Sequence, residues 1–367
     1  MFDRRLLKNF DYQLLIIVLA ICVYGLLVIS SATRSADAGI SFVYVQKQAV
    51  SIGIGLFALL VIISINYLDF YRLSWYLYGF NAFCLGLVLF VGREAGGSYR
   101  WIDLKVFDFQ PSELAKIIII ITLARLLVER KERLQNPVQL LPLLLHVFLP
   151  MILIFRQPDL GTALVFAVIF LGMLYMGGVP VKNLLLVICS GMAVFPLLWT
   201  RLLDYQKMRL IVFFNPDVDP LASGYQLTQS MIAIGSGGLT GKGLFAGTQA
   251  RLQFLPEQHT DFIFSVLGEE LGFLGGVILL VLYLLLIYRI LKIASFSKDS
   301  FGALICAGVA TMLTFQILVN IGMTLSIMPV TGLPLPFMSY GGNSMLINMI
   351  SIGVVLNVGM RRHKIQF

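Results

Sequence analysis

The residues of this sequence best suited to chemistry lie between positions 241 and 272, where an otherwise apolar chain concentrates cationic and carboxylate side chains. Asp261 stands where this polar segment meets a long apolar one. A carboxylate there could act as a general base. It could equally cap the helix that follows, whose free N–H groups favour a negative charge and keep it ionised. The residue types leave both roles open for Asp261.

Two further ionisable residues alternate with this aspartate, since the segment contains Glu257 and His259 before Asp261. Three such side chains could surround a metal ion. However, the other histidines, His146 and His363, are distant in the chain, and the HExxH pattern of zinc proteases is absent. The sequence therefore argues against zinc. A loosely held Mg²⁺, bound by one carboxylate and by substrate phosphates, stays open.

Lys242 lies in a glycine-rich run, GSGGLTGKG at positions 235–243, which invites comparison with a phosphate-binding loop. Ser236 stands where that pattern requires glycine, and Gly243 stands where it requires serine or threonine, so an ATP site is excluded. Lys242 could still approach a phosphate, or it could simply be hydrated. Because glycine gives the backbone freedom, we expect residues 235–247 to form a mobile lid that carries Lys242.

A stripe of polar and small residues continues from Asp261 along the following apolar run. It consists of Ser265, Gly268, Glu269, Gly272 and Gly276, which recur at helical spacing. Glu269 would lie about 12 Å along the helix from Asp261. Because a carboxylate that deep in a membrane is costly without partners, we expect Glu269 to face the protein interior or a wet cavity.

Other polar residues are expected at the same end of the molecule as Asp261. Glu113 and Lys116 are three positions apart, so they can form an ion pair on a helix, and mutual neutralisation is the simpler explanation for them. The residues QPS before them place the pair at the outer end of its helix. We expect one outer site to draw on this pair and on residues from neighbouring outer turns, namely Arg100, Asp159 and Ser339.

The elements that must position these residues are membrane helices. Hydrophobic residues make up 58% of the 367, charged residues make up only 13%, and the mean hydropathy is +0.89, as in an integral membrane protein. The net charge of +8 comes from short clusters between apolar runs, which is typical of membrane topology and not of nucleic-acid binding. We interpret residues 1–367 as a single membrane domain.

Apolar runs of spanning length predict an all-α polytopic membrane protein with about ten transmembrane helices. A large outer loop, about 200–261, separates the seventh helix from the eighth, and its apolar pieces predict segments that dip into the membrane interface or re-enter the protein. The distribution of lysine and arginine predicts cytoplasmic termini. The predicted spans are 13–31, 48–66, 74–92, 112–128, 139–155, 160–178, 181–199, 262–290, 302–325 and 341–360.

Five motifs together resemble those of the SEDS family (shape, elongation, division and sporulation proteins), and in particular its rod-shape branch. They follow one another in the expected order and span most of the chain. The motifs are QPSELAK at 110–116, QPDLGT at 157–162, GKGLFAGTQARLQFLPEQHTDFIF at 241–264, GEELGF at 268–273 and PFMSYGGNS at 336–344.

The resemblance implies a ten-helix peptidoglycan glycosyltransferase that polymerises lipid II during cell elongation, at the outer face of a bacterial inner membrane. It also implies a partner, a class B penicillin-binding protein that crosslinks the strands, within a complex of elongation membrane proteins. By motif position, Asp261 would be the catalytic aspartate. A single displacement with this base would invert the anomeric carbon. The supporting residues would be Glu113, Lys116, Asp159, Lys242, His259, Glu257, Arg100 and Ser339.

Two other classes of protein would also suit a polar site in a membrane. A lipid II flippase needs charged groups inside the membrane and a groove for a lipid, but the sequence shows no internal repeat and its polar motifs concentrate on one side. A scaffold for cell-wall enzymes would not need carboxylates within the bilayer. The sequence therefore favours the enzyme.

Overall fold

The structure, a computed structural model, describes residues 8–35, 39–40, 42–95, 98–103, 108–219, 223–252 and 254–362. His363 and both chain ends lie outside these ranges. Every predicted span forms a helix. The α-helices are α1 (Tyr12–Ala32), α2 (Phe42–Ser64), α3 (Tyr67–Val91), α4 (Pro111–Glu129), α5 (Leu141–Arg156), α6 (Leu160–Met176), α7 (Val181–Trp199), α8 (Asp204–Phe214), α9 (Ser223–Gly237), α10 (Thr248–Arg251), α11 (Ile263–Ser295), α12 (Ser300–Thr324) and α13 (Gly342–Met360).

The length and composition of these helices make this an all-α polytopic membrane fold. Within the described ranges, eight segments are long and apolar enough to cross a membrane, one of which joins α5 to the 3₁₀ turn before it. The helix α6 is apolar but shorter, with 17 residues. The helix α4 carries Glu113 and Lys116 near its start and two further charges, Arg125 and Glu129, near its end.

Two predicted helix starts are too late. The helix α2 begins at Phe42 instead of 48, and α3 begins at Tyr67 instead of 74. Asn66 caps α3 by accepting a hydrogen bond from the backbone N–H of Leu68. Polar residues near the start of each helix, at 46–48 in α2 and at Asp69 and Arg72 in α3, reduce local hydropathy without ending a helix, so a count of apolar residues misses these first turns.

Short antiparallel strands connect some of the helices on the side of Asp261. The strand β1 (Arg34–Ser35) pairs with β2 (Gly39–Ile40), while β4 (Ser98–Asp103) pairs with β3 (Arg93–Ala95) and with β5 (Asp108–Phe109). These strands were not predicted from the sequence. The strand β4 is the element that positions Arg100.

The loop between α7 and α11 packs back onto the membrane bundle, as predicted. Its helix α9 is fastened to two of the spans by Ser230, whose hydroxyl oxygen lies 2.7 Å from the hydroxyl oxygen of Ser265 and 2.7 Å from the carbonyl oxygen of Thr324. Ser230 and Ser265 are fully buried. The loop is therefore part of the folded core and not a free extension of it.

The predicted stripe along α11 is interrupted, because the backbone at Gly272 leaves the helical conformation with a φ of 63°. Such a break removes helical hydrogen bonds, and the segment 238–243 replaces them. Phe273 N–H donates to the Gly238 carbonyl at 2.9 Å, and Leu274 N–H donates to the next carbonyl at 3.1 Å. In return, Lys242 N–H donates to the Glu269 carbonyl at 3.1 Å. A continuous helix through this point was therefore a wrong prediction.

The glycines of this segment serve close backbone packing. A Cβ atom on Gly241 would lie 2.1 Å from the Glu270 carbonyl oxygen, and one on Gly237 would lie 1.9 Å from the Gly268 carbonyl oxygen. Because backbone bonds fasten the segment to α11, its start is not the mobile lid that its glycine content suggested.

Candidate active site

Asp261 lies in the turn immediately before α11. The cap position belongs to Phe262, and no side chain caps the helix there. The backbone carbonyl of Asp261 accepts a hydrogen bond from the Asn320 side chain at 3.0 Å, and the same side chain donates to the Leu333 carbonyl at 2.8 Å. The helix-capping role is therefore wrong, and the backbone of Asp261 is what α12 holds in place.

The carboxyl of Asp261 has a pKa raised to about 6, first because burial disfavours the charged form and then because the Glu257 carboxylate is near. Arg209 and Arg100 oppose this shift. This corrects the expectation that a helix N-terminus keeps the group firmly ionised, since burial has the larger effect. A carboxyl with a pKa near 6 is mostly ionised at neutral pH and still accepts a proton readily, which suits a general base.

Arg209, carried by α8, approaches the same backbone segment as Asp261. Gly332 has a positive φ of 72°, and a Cβ atom on it would lie 3.5 Å from Asp261 Oδ2 and 3.8 Å from Arg209 Nη1. The aspartate and the arginine therefore converge on Gly332, where the lack of a side chain leaves room beside both groups.

Arg100 and Asp159 come together on the neighbouring turn, as the sequence predicted. Arg100 Nη2 donates to the Pro158 carbonyl at 2.7 Å, and Arg100 Nη1 lies 3.7 Å from Asp159 Oδ1. Asp159 also caps α6 by accepting hydrogen bonds from the backbone N–H and the hydroxyl of Thr162, at 3.1 and 2.9 Å. Asp159 thus orients Arg100 and also caps the first turn of α6.

A small cavity of about 30 Å³ opens beside these groups. It lies between β4, the start of α6, α8 and the segment before α13, so it joins four parts of the chain that are distant in sequence. Arg100 and Arg209 make its wall cationic. The polar or turn-forming residues that line it are Arg100, Pro158, Tyr205, Gln206, Arg209 and Thr331.

Ser339 and His259 hold the turn that carries Asp261. Ser339 Oγ donates to the Thr260 carbonyl at 2.6 Å and accepts from the Leu335 N–H at 2.8 Å. The His259 ring packs against two tyrosine rings that also contact each other, with centroid distances of 4.8 Å to Tyr44 and 5.5 Å to Tyr340. Burial lowers the pKa of His259, against the opposing charge of Glu257, and so favours the neutral ring. Both residues position the turn.

Glu257 occupies the same turn, with an unusual positive φ of 53°. Its exposed side chain accepts a hydrogen bond from the Thr260 hydroxyl at 2.9 Å. The negative charge of Glu257 contributes to the raised pKa of Asp261, and this effect connects Glu257 to the candidate site. No group of three or more histidine, cysteine, aspartate or glutamate side chains that could hold a metal occurs in the described part of the chain.

Glu113 and Lys116 form the predicted ion pair in the first turns of α4. Lys116 Nζ lies 2.8 Å from Glu113 Oε1, with Lys116 fully buried and Glu113 nearly so. The second oxygen of Glu113 is buried without a hydrogen-bond partner. The pair is confirmed, while its part in the outer site stays a prediction.

Lys242 belongs to a different cluster from Asp261. Its ammonium group lies 2.6 Å from Glu269 Oε1, which also accepts hydrogen bonds from the backbone N–H groups of Thr248 and Gln249, at 2.8 and 3.1 Å. Glu269 is fully buried, so the prediction that it faces the interior with partners is confirmed. Lys242 is thus an exposed residue that is ion-paired with Glu269, and its phosphate-binding role stays a prediction.

Sequence reasoning missed several residues of the site, above all Arg209. It lies in the segment DYQKMRLIVFF, which carries no motif that we could recognise. Tyr205, in the same segment, and Asn320, in α12, likewise lie outside any motif that we recognised. A search for charged residues in the long outer loop would have included Arg209, but without the fold nothing separates it from Arg201 or Lys207.

Comparison with known proteins agrees with this architecture. The FtsW/RodA/SpoVE family, described as "Cell cycle protein", matches residues 12–364. "Peptidoglycan glycosyltransferase MrdB" of Escherichia coli (strain K12) is 40% identical over 357 residues, covering 96% of this chain and 94% of the relative. "Peptidoglycan glycosyltransferase RodA" of Treponema pallidum (strain Nichols) is 37% identical, covering 98% and 99%.

Solved structures of similar fold cover almost the whole chain. One, described as "Structural coordination of polymerization and crosslinking by a peptidoglycan synthase complex", is 33% identical with a TM-score of 0.81, covering 97% of this chain and 99% of that one. The rod shape determining protein RodA of Thermus thermophilus is 32% identical with a TM-score of 0.71, covering 97% and 98%. The chain described above therefore belongs to the FtsW/RodA/SpoVE family.

Proposed function

We propose that this protein, a transferase of the peptidoglycan glycosyltransferase class, polymerises lipid II into glycan strands during cell elongation, with Asp261 as general base. The observation that carries the proposal is the placement of Asp261, a partly buried carboxyl with a pKa of about 6 beside two arginines. The names of the relatives support the class of reaction.

The arrangement suits a single displacement. The acceptor sugar hydroxyl attacks the anomeric carbon of the donor sugar, and Asp261 takes the hydroxyl proton. A new C–O bond forms on one face of that carbon while the bond to the lipid diphosphate breaks on the other, so its configuration inverts. The diphosphate leaves with the bonding electron pair. One base is enough for this reaction, and the cationic wall beside Asp261 suits the anionic leaving group.

Several other residues act by position. Ser339, His259 and Asn320 hold the turn that carries Asp261, while Asp159 orients Arg100. A loosely held Mg²⁺ ion, bound by one carboxylate and by substrate phosphates, stays a prediction, to be tested by adding a chelator to the polymerisation reaction.

We place the protein in the cytoplasmic membrane of a bacterium, with cytoplasmic termini and the site on the outer face. The lysine and arginine distribution supports that orientation. A class B penicillin-binding protein is the partner that we propose, together with other membrane proteins of the elongation complex. A structural relative described as a peptidoglycan synthase complex that coordinates polymerization and crosslinking supports this choice.

The decisive experiment uses purified full-length protein and labelled lipid II, with and without the class B partner, and resolves the products on a gel. A ladder of glycan polymer is the expected result. In parallel, lipid II movement across vesicles tests the flippase alternative. Lipid II movement with no polymer in either condition would replace the enzyme with a transporter.

A further inference from the structure

Two arginines from distant parts of the chain share the cavity beside Asp261. Arg209 comes from α8 and Arg100 comes from β4, and both line the cavity of about 30 Å³. Both also lower the pKa of the Asp261 carboxyl, so each lies close enough for its charge to act there. A cationic wall therefore faces the carboxylate that we propose as the base.

The two guanidinium groups are held in a fixed relation through Tyr205 and one carbonyl. The Pro158 carbonyl accepts a hydrogen bond from Arg100 at 2.7 Å and another from the Tyr205 hydroxyl at 2.9 Å. The Tyr205 ring in turn packs against Arg209, whose guanidinium carbon lies 5.7 Å from the ring centroid. Loss of Tyr205 would leave this face of Arg209 without its support.

Hydrogen-bond donors of this pair remain unused. Arg100 Nε is buried without a partner, and within the described ranges Arg209 forms neither a hydrogen bond nor an ion pair. A buried cationic donor without an acceptor is costly, so the arrangement calls for an anionic ligand. Lys242, the cation that the sequence suggested for this purpose, is engaged by Glu269 instead.

We infer that Arg209 and Arg100 form a binding site for the diphosphate of a prenyl-linked donor, an inference that rests on the proposed glycosyl transfer. A planar guanidinium group binds two phosphate oxygens at once. A diphosphate offers enough oxygens for both arginines, whereas a monophosphate offers fewer. As the bond between the anomeric carbon and oxygen breaks, the electron pair stays on the diphosphate, and the two arginines stabilise that added charge. The proton goes to Asp261 on the opposite side of the reaction.

Binding measured without turnover tests this site. Full-length protein in detergent is titrated with farnesyl diphosphate and, separately, with farnesyl monophosphate. The unmodified protein should prefer the diphosphate. Arg209→Gln should weaken diphosphate binding by about tenfold to a hundredfold, as expected for charge-assisted hydrogen bonds, with a smaller effect on the monophosphate. The affinity of Arg209→Lys for the diphosphate should lie between the affinities of the unmodified protein and of Arg209→Gln.

Arg201→Gln is the matched control, because Arg201 is an exposed arginine of the same outer loop that does not line the cavity. It should leave both affinities unchanged. Thermal unfolding of each variant shows whether it is folded, and the Arg209→Lys protein serves if the glutamine variant is not. Equal binding of the two ligands by the unmodified protein would overturn the inference, as would an unchanged preference in the Arg209 variants.

Failure of the arginine site can be distinguished from failure of the proposed glycosyl transfer. Asp261→Asn removes the base but keeps the arginines, so it should polymerise poorly and still prefer the diphosphate. If the unmodified protein polymerises lipid II but Arg209→Gln binds the diphosphate normally, only the arginine site is wrong. If the diphosphate preference holds but no polymer forms, only the proposed reaction is wrong.

Discussion

Two polar clusters of this protein look alike in the sequence and differ in the structure. Around Glu269, one carboxylate oxygen accepts hydrogen bonds from Lys242 and from the backbone of Thr248 and Gln249. Around Asp261, the neighbouring arginines keep unused donors, and the carboxyl has a pKa raised to about 6. Both clusters place carboxylates and cations on or before α11.

This difference in hydrogen-bond partners indicates which cluster serves folding and which serves function. A buried carboxylate whose partners are complete has nothing left to offer a substrate, and its network stabilises one conformation. Groups that are desolvated and incompletely paired are costly, and proteins retain them mainly at functional sites. We therefore expect substitutions in paired clusters to affect folding first, and substitutions around Asp261 to affect chemistry first.

The largest expected effect is at a third group, the buried ion pair of Glu113 and Lys116, which has one paired carboxylate oxygen and one without a partner. Lys116→Met leaves a buried carboxylate uncompensated, which should lower the free energy of unfolding by about 3 kcal/mol or more. Thermal unfolding in detergent measures this. The control is Lys182→Met, at an exposed lysine of α7, which should change little.

Charge reversal sharpens this test. The double variant Glu113→Lys with Lys116→Glu restores opposite charges, so it should recover stability better than it recovers polymerisation. If Lys116→Met were as stable as Lys182→Met, the pair would be hydrated and would not belong with the buried clusters.

On the other side of the comparison, Asp261→Asn should lower the polymerisation rate by about two orders of magnitude or more, because the amide cannot take the proton. Its unfolding temperature and partner binding should stay near those of the unmodified protein, since α12 holds the backbone of residue 261. Rates are measured with labelled lipid II. Normal polymer from a folded Asp261→Asn protein would remove the base from the mechanism.

Much of the fold could be predicted because a membrane imposes a simple rule. A hydrocarbon core about 30 Å thick requires about 20 apolar residues per helix, so spans can be recognised without tertiary information. The break at Gly272 could not be predicted in this way. Apolar residues continue past it, and the backbone groups it exposes are satisfied by a segment about thirty residues earlier in the chain.

The site was predicted in part for a similar reason. Asp261, Asp159 and Arg100 lie in motifs or turns that set them apart from the apolar chain, and the structure brings them to one region. Arg209 lies in an ordinary amphipathic helix, and only the packing of α8 against the turn at Gly332 reveals it. The start of the glycine-rich segment was misjudged as mobile because glycine density indicates close backbone approach as readily as it indicates mobility.

A smaller effect on folding is expected at the helix break. Gly241→Ala would place a methyl group 2.1 Å from the Glu270 carbonyl oxygen at a residue whose φ is 81°. This should lower the free energy of unfolding by about 2 kcal/mol, because close packing resists added volume. The control is Gly235→Ala, which has open space around it in α9 and should be neutral or slightly stabilising. Equal unfolding temperatures for the two variants would show that the segment is mobile after all.

The smallest expected effect concerns the pH dependence of the reaction. Because Asp261 must be ionised to accept a proton, the rate should fall as the pH decreases through about 6, the pKa of its carboxyl. The Glu257 carboxylate raises that pKa. Glu257→Gln keeps an oxygen that can accept the Thr260 hydrogen bond but removes the charge, so the acid limb should move to lower pH while the rate at neutral pH hardly changes.

Asp217→Asn is the control for this shift, since Asp217 is an exposed carboxylate of the same outer loop, and its profile should match that of the unmodified protein. Polymerisation rates are recorded at saturating lipid II from about pH 5 to 8, a range that brackets the pKa of Asp261. A flat profile would mean that proton transfer to Asp261 does not limit the rate. An acid limb that stays in place in Glu257→Gln would belong to a group other than Asp261, because of these two carboxylates only Glu257 acts on the Asp261 carboxyl. The contrast between the two clusters would then rest on geometry alone.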